Sequence, residues 1–129
     1  MPWLSLAAIA VGAVLGAWAR WALGLAFNPL LPTLPLGTLA ANLTGGFIIG
    51  VMMSVADPLN FSPATRLAIT TGFLGALTTF STFSAESLTL LMRAQYGWAL
   101  TALLAHLGGS LLLTGAGILL GRLLIARLA

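Results

Sequence analysis

From Gly72 to Thr89 the chain reads Gly-Phe-Leu-Gly-Ala-Leu-Thr-Thr-Phe-Ser-Thr-Phe-Ser-Ala-Glu-Ser-Leu-Thr. Hydroxyls stand at Thr78, Thr79, Ser81, Thr82, Ser84, Ser87 and Thr89, with Glu86 among them and Thr70 and Thr71 just ahead. The surrounding chain has the opposite character: it is 60% hydrophobic and 5% charged, with a mean hydropathy of +1.09. An average soluble domain carries about 25% charged residues. Five basic side chains and two carboxylates over 129 residues cannot clothe a water-exposed surface. Lipid is the solvent, and a soluble enzyme and a disordered chain are both excluded. A hydroxyl-rich segment in such a chain must be covered by protein or line a polar cavity, because the bilayer core offers polar groups no water.

Working outward, each membrane helix needs about 20 apolar residues at ~1.5 Å per residue. The length then accommodates one all-α domain, residues 1–129, of four transmembrane helices over about 3–27, 36–56, 64–92 and 98–125. The run Trp3 to Phe27 lacks the basic start and small-residue cleavage site of a secretory signal, and reads as a retained helix. Trp3 and Trp21 stand about 27 Å apart along that helix, which suits two aromatic anchors at opposite interfaces. Prolines at 29, 32 and 35 mark the first connection, and Asp57-Pro58 opens the second. Ser62-Pro63 closes that second connection as an N-cap with proline at the first helical position. Tyr96 and Trp98 anchor the third.

Within the third span, Gly72 and Gly75 precede the β-branched pair Thr78-Thr79, which predicts a helix broken near its middle. The competing reading is a continuous helix whose hydroxyls bond to their own i−4 carbonyls. Four spans put Arg66, Arg122 and Arg127 on one side and Arg20 and Arg93 on the other. So slight an excess leaves both orientations open under the positive-inside rule. Gly12/Gly16, Gly46/Gly50 and Gly117/Gly121 recur at four-residue steps. Such small-residue faces pack helices within a bundle or between copies of the chain.

Further polar residues fall on other spans. Asn42 lies on the glycine face of the second, and His106, Ser110 and Thr114 recur every four residues along the fourth. Phe80 and Phe83 stand one turn apart on the third. Intramembrane polar residues mark substrate or ion routes, although interhelical glue and ordinary core packing are the plainer readings of each. Carboxylates to hold a cation and a basic ring to trap a large anion are both missing from these faces. Hydroxyl and amide hydrogens, with the positive edges of phenyl rings, suit a small anion that must be bound yet released. Glu86 opposes this unless it is protonated or hydrogen-bonded to Thr82 one turn earlier. The chain has no cysteine, so it has no disulfide and no thiolate metal site, and five scattered arginines make no nucleic-acid face.

The stretch Gly75-Ala-Leu-Thr-Thr-Phe-Ser-Thr-Phe-Ser84, with Gly37-Thr-Leu-Ala-Ala-Asn42 and the Gly12/Gly16/Arg20 pattern, resembles the Fluc (CrcB) family of fluoride channels. The likeness covers essentially the whole chain, and the third-span motif is its specific part. It implies a dual-topology, antiparallel homodimer with two pores at the shared surface. It also implies a passive route by which cytoplasmic fluoride leaves across the plasma (inner) membrane of a bacterium or archaeon, and no enzymatic activity. The implied fluoride pathway runs by the ring edges of Phe80 and Phe83, with Asn42, Ser81, Thr82, Ser110 and Thr114 as hydrogen-bonding side chains. Thr38 and Glu86 are its neighbours, and Arg20 sits near a vestibule. The likeness further implies a structural sodium ion at the dimer centre, held by backbone carbonyls of Gly75 and Thr78. Ala102 departs from relatives that carry a tyrosine one turn before His106, so no phenol donor is carried over.

Two other functions fit a small four-span chain. A proton-coupled multidrug antiporter relies on a glutamate in its first span, and Trp3 to Phe27 holds none. A non-transporting membrane assembly subunit would use only the glycine faces, and would be indifferent to the loss of Phe80 or Phe83.

Overall fold

The computed structural model describes residues 2–129. They form an all-helical protein without strands, and Pro2–Leu30, Leu36–Val55, Pro63–Met92 and Tyr96–Leu128 are long and apolar enough to cross a membrane. Helix α1 is Pro2–Phe27, followed by a 3-10 turn at Asn28–Leu30, and α2 is Leu36–Val55. The third span comprises α3, residues 63–77, and α4, Phe80–Met92. Helix α5, Tyr96–Leu128, is the fourth span. It begins slightly before Trp98, where the sequence pattern starts it, and runs past Ile125.

The connections follow local chemistry. Ser62 Oγ accepts the Thr65 backbone N–H at 3.1 Å with Pro63 at the first helical position, the expected cap. Arg66 ties the preceding loop, pairing with Asp57 at 2.5 Å and donating to the carbonyls of Ala56 and Phe61 at 3.0 Å. The N-cap of α2 is Pro35, which has no capping side chain. Asn28 Oδ1 does this work from the first connection, accepting from Gly37 N at 2.8 Å and Thr38 N at 3.2 Å. Helix starts leave backbone N–H groups unpaired, and a side-chain oxygen satisfies them.

The glycine faces close the bundle from within. A Cβ at Gly12 would collide with the Ala68 carbonyl, and one at Gly16 with the Phe73 carbonyl, so α1 and α3 touch backbone to backbone. The same holds between α2 and α5, where Gly50 meets the Thr114 carbonyl and Gly117 the Phe47 carbonyl. Helices in lipid associate through such close packing, since no water drives them together. These glycines are therefore used inside one protomer, which removes them as an argument for self-association. Stretches of π-helix occur at Ala68–Leu74, facing Gly12 and Gly16, and at Leu104–Gly108, around His106. Ala41, Leu74 and Leu77 are buried at the bundle centre, whereas Leu90 of α4 is buried with Leu34, Ala99 and Ala102 at one end.

Between α3 and α4 the backbone is extended, with Thr78 at φ −83°, ψ 154° and Thr79 at φ −149°, ψ 111°. Both are β-branched residues, which fit this region well. Thr78 closes the last turn of α3, giving both its N–H (3.0 Å) and its Oγ1 (2.8 Å) to the Leu74 carbonyl. Thr79 caps α4, its Oγ1 accepting the Thr82 N–H at 3.1 Å.

Candidate functional site

The extended pair is splinted from α2. Asn42 Oδ1 accepts the Thr79 N–H at 2.7 Å, and Asn42 Nδ2 donates to the Thr79 carbonyl at 3.1 Å. One side chain thereby satisfies both main-chain groups of a residue that has left the helix, as a neighbouring strand would. The second Nδ2 hydrogen goes to His106 Nδ1 at 3.1 Å. Since both amide hydrogens are donated, His106 Nδ1 is the acceptor and its proton sits on Nε2. That Nε2 is buried and has no hydrogen-bond partner among the described residues.

His106 also orders the aromatic pair. Its ring lies 4.6 Å from that of Phe83, tilted by 32°. Phe80 and Phe83 meet edge to face, with centroids 5.7 Å apart and planes at 65°. These groups line a groove of about 490 Å³ together with Gly75, Thr78, Thr79 and Ser110. Its rim is bare: Phe80 is 79% exposed, and Leu107 and Leu111 are also exposed. Nearly all of this was drawn from three spans far apart in sequence.

The other expected residues lie around the groove rather than on it. Ser81 and Thr82 cluster on Thr79 Oγ1, at 3.2 and 3.0 Å. Thr114 Oγ1 donates to the Gly46 carbonyl at 2.9 Å, one turn along from Ser110. Glu86 does not bond Thr82, the partner its spacing suggests. Thr38 Oγ1, from α2, donates to Glu86 Oε1 at 2.8 Å. Thr82 Oγ1 is instead drawn to the start of α4, where it accepts from Thr79 Oγ1 at 3.0 Å. Arg20 is half-buried and donates through Nε to the Ala76 carbonyl at 2.9 Å, capping the end of α3. Sequence reasoning missed Thr79 as Asn42's partner and the Asn42–His106 bond, because nothing in either helix's periodicity states which residue it will face.

The family model for CrcB-like protein, Camphor Resistance (CrcB), matches residues 7–118. The chain belongs to the CrcB family. Among its relatives, a protein of Nitrosospira multiformis named fluoride-specific ion channel FluC is 57% identical over 116 residues, 89% of this chain and 91% of the relative. Proteins of the same name from Cupriavidus pinatubonensis and Chromobacterium violaceum are 52% and 57% identical, covering 94% and 90% of this chain and 97% and 93% of theirs. The CrcB match embraces the groove, the Thr38–Glu86 pair and Arg20 alike.

Proposed function

We propose that this chain is a fluoride channel and not an enzyme. The observation that carries the reading is the aromatic and hydroxyl groove at the Thr78–Thr79 junction, in a chain more than half identical to proteins named for fluoride conduction. Fluoride is small and tightly hydrated, so a site must replace its water with close donors. Phenyl edges carry the positive part of the ring quadrupole, and the pair at Phe80 and Phe83 offers such edges beside Ser110. With both Asn42 hydrogens engaged, the Ser110 hydroxyl is a donor in the groove lining, and behind it the buried His106 Nε2–H has no partner among the described residues. Larger anions approach neither rings nor hydroxyls as closely.

The finer reading is a third helix broken near its middle, in an antiparallel dual-topology homodimer whose shared surface carries two pores. The bare rim of the groove supports it, since Phe80 and Gly75 face outward from one protomer. A plasma (inner) membrane of a bacterium fits the bacterial sources of the relatives. A structural sodium ion at the dimer centre suits the donors available. Continuous helix would pair Gly75 O with Thr79 N–H and Thr78 O with Thr82 N–H. Those two N–H groups instead go to Asn42 Oδ1 and Thr79 Oγ1, leaving both carbonyls without these donors. Hard carbonyl oxygens freed by unwound helix are what sodium prefers. Bound there, the ion would neutralise dipoles at the junction and hold it in shape.

Recordings with a fluoride electrode on proteoliposomes holding an outward fluoride gradient test the reading. Rapid, uncoupled release is expected. Release only against an inward proton movement, or export of a lipophilic cation, would point to a multidrug antiporter.

A further inference from the structure

A second cavity lies against Glu86, the carboxylate that accepts from Thr38. It measures about 310 Å³ and is lined by Thr33 of the first connection, Glu86 and Thr89 of α4, and Arg93 and Gln95 beyond its end. Phe83, Glu86, Leu90 and Arg93 recur at steps of three and four, so they share one face of the helix. Thr38 lies one turn before Asn42 on α2. Glu86, which lines this cavity, therefore stands one helical turn from Phe83, which lines the aromatic groove, and its partner Thr38 stands one turn from Asn42. The ion pair among the described residues joins Arg66 to Asp57, so the exposed Arg93 guanidinium has no carboxylate partner.

We propose that this cavity is a mouth of the ion route and that Arg93 collects fluoride there. The proposal rests on the fluoride-channel reading. When ionised, Glu86 in the lining repels anions, and the unpaired Arg93 cation in the same lining offsets that field and raises the local anion concentration. The plainer role for Arg93 is to complement the C-terminal end of the α4 dipole. That role affects stability and is indifferent to the charge of the permeating ion.

Because the chain lacks cysteine, Arg93→Cys supplies a single modifiable thiol. Initial fluoride efflux is measured at about 10 mM ionic strength, where charges act over ~30 Å, and at about 1 M, where they act over ~3 Å. At low ionic strength Arg93→Cys is expected to release fluoride about three- to tenfold more slowly than wild type, with the gap closing at high ionic strength. A cationic thiol reagent restores the rate, an anionic one lowers it further, and Arg93→Lys stays near wild type. Equal rates at low ionic strength, or the same response to both reagents, overturn the proposal. The wild-type chain gives a check that needs no variant: its rate must fall as ionic strength rises, and a flat profile overturns the mouth while leaving the channel intact. A wild-type chain that releases no fluoride overturns both.

Discussion

Residues 63–77 and Phe80–Met92 belong to one span, yet α3 is wedged against α1 while α4 stands bare along much of its length. On the α3 side, Gly12, Gly16 and Gly72 allow backbone to meet backbone, leaving no room for a methyl group. On the α4 side, Phe80 projects outward, and contact with the bundle is confined to one face, by Phe83 on His106, Glu86 on Thr38 and Leu90 in its buried cluster. Gly75, at the boundary, has nothing nearer its Cβ direction than the Thr70 carbonyl at 3.8 Å. The contrast separates a close-packed scaffold from an exposed face. Asn42 joins them, since a single amide holds the residue where one ends and the other begins.

The harshest way to break this contrast is to enlarge the scaffold glycines. Gly12→Val and Gly16→Val drive carbon into carbonyls of α3 that cannot yield, and both variants are expected to give no monodisperse protein in detergent. Gly75→Ala should fold as wild type by the same chromatographic measure. If it fails as Gly12→Val does, the boundary is packed and the contrast is wrong.

Next comes the splint. Asn42→Ala strands the N–H and C=O of Thr79, at a cost of about 2–4 kcal/mol for two buried backbone groups. Thermal unfolding in detergent should show a clear drop, with Asn42→Asp intermediate because it keeps the acceptor for Thr79 N–H and loses both donors. An unchanged midpoint for Asn42→Ala would mean the junction holds itself.

The exposed face should lose function with little loss of stability. Phe80→Ile is expected to shift stability by no more than about 0.5 kcal/mol, as for an exposed site, while fluoride release falls at least tenfold. Phe83→Ile, which also gives up the His106 ring contact, should lose about 1 kcal/mol as well. Full fluoride release in either variant would remove that ring from the ion route. The smallest effect is Gly115→Ala on α5, where nothing stands within 4 Å. A gain of about 0.5 kcal/mol is expected from helix propensity, and a loss would mark that face as one covered in the assembly.

Much of this was legible in the chain itself. Hydropathy and proline placement reveal the four spans, and Ser62-Pro63 announces its cap, because these features depend on neighbours in sequence. The hydroxyl run and the Thr78-Thr79 pair flag the junction for the same reason. What stayed hidden depends on which faces meet. Glu86 finds Thr38 on another helix rather than Thr82 on its own. Asn28 caps a helix that starts several residues later, and Asn42 meets both Thr79 and His106. The glycine faces were legible as packing surfaces, but their partners inside the protomer became clear only from the backbone contacts. The π-helical turns at Ala68–Leu74 and Leu104–Gly108 likewise carry no periodic signature of their own.

The central claim is that the aromatic and hydroxyl groove passes fluoride and rejects larger halides. It is tested most directly by loading one batch of proteoliposomes with equal fluoride and chloride and following both ions as they leave. The account predicts that fluoride empties within the recording while chloride stays inside. Chloride leaving alongside fluoride, or neither ion moving from vesicles that contain folded protein, would contradict it.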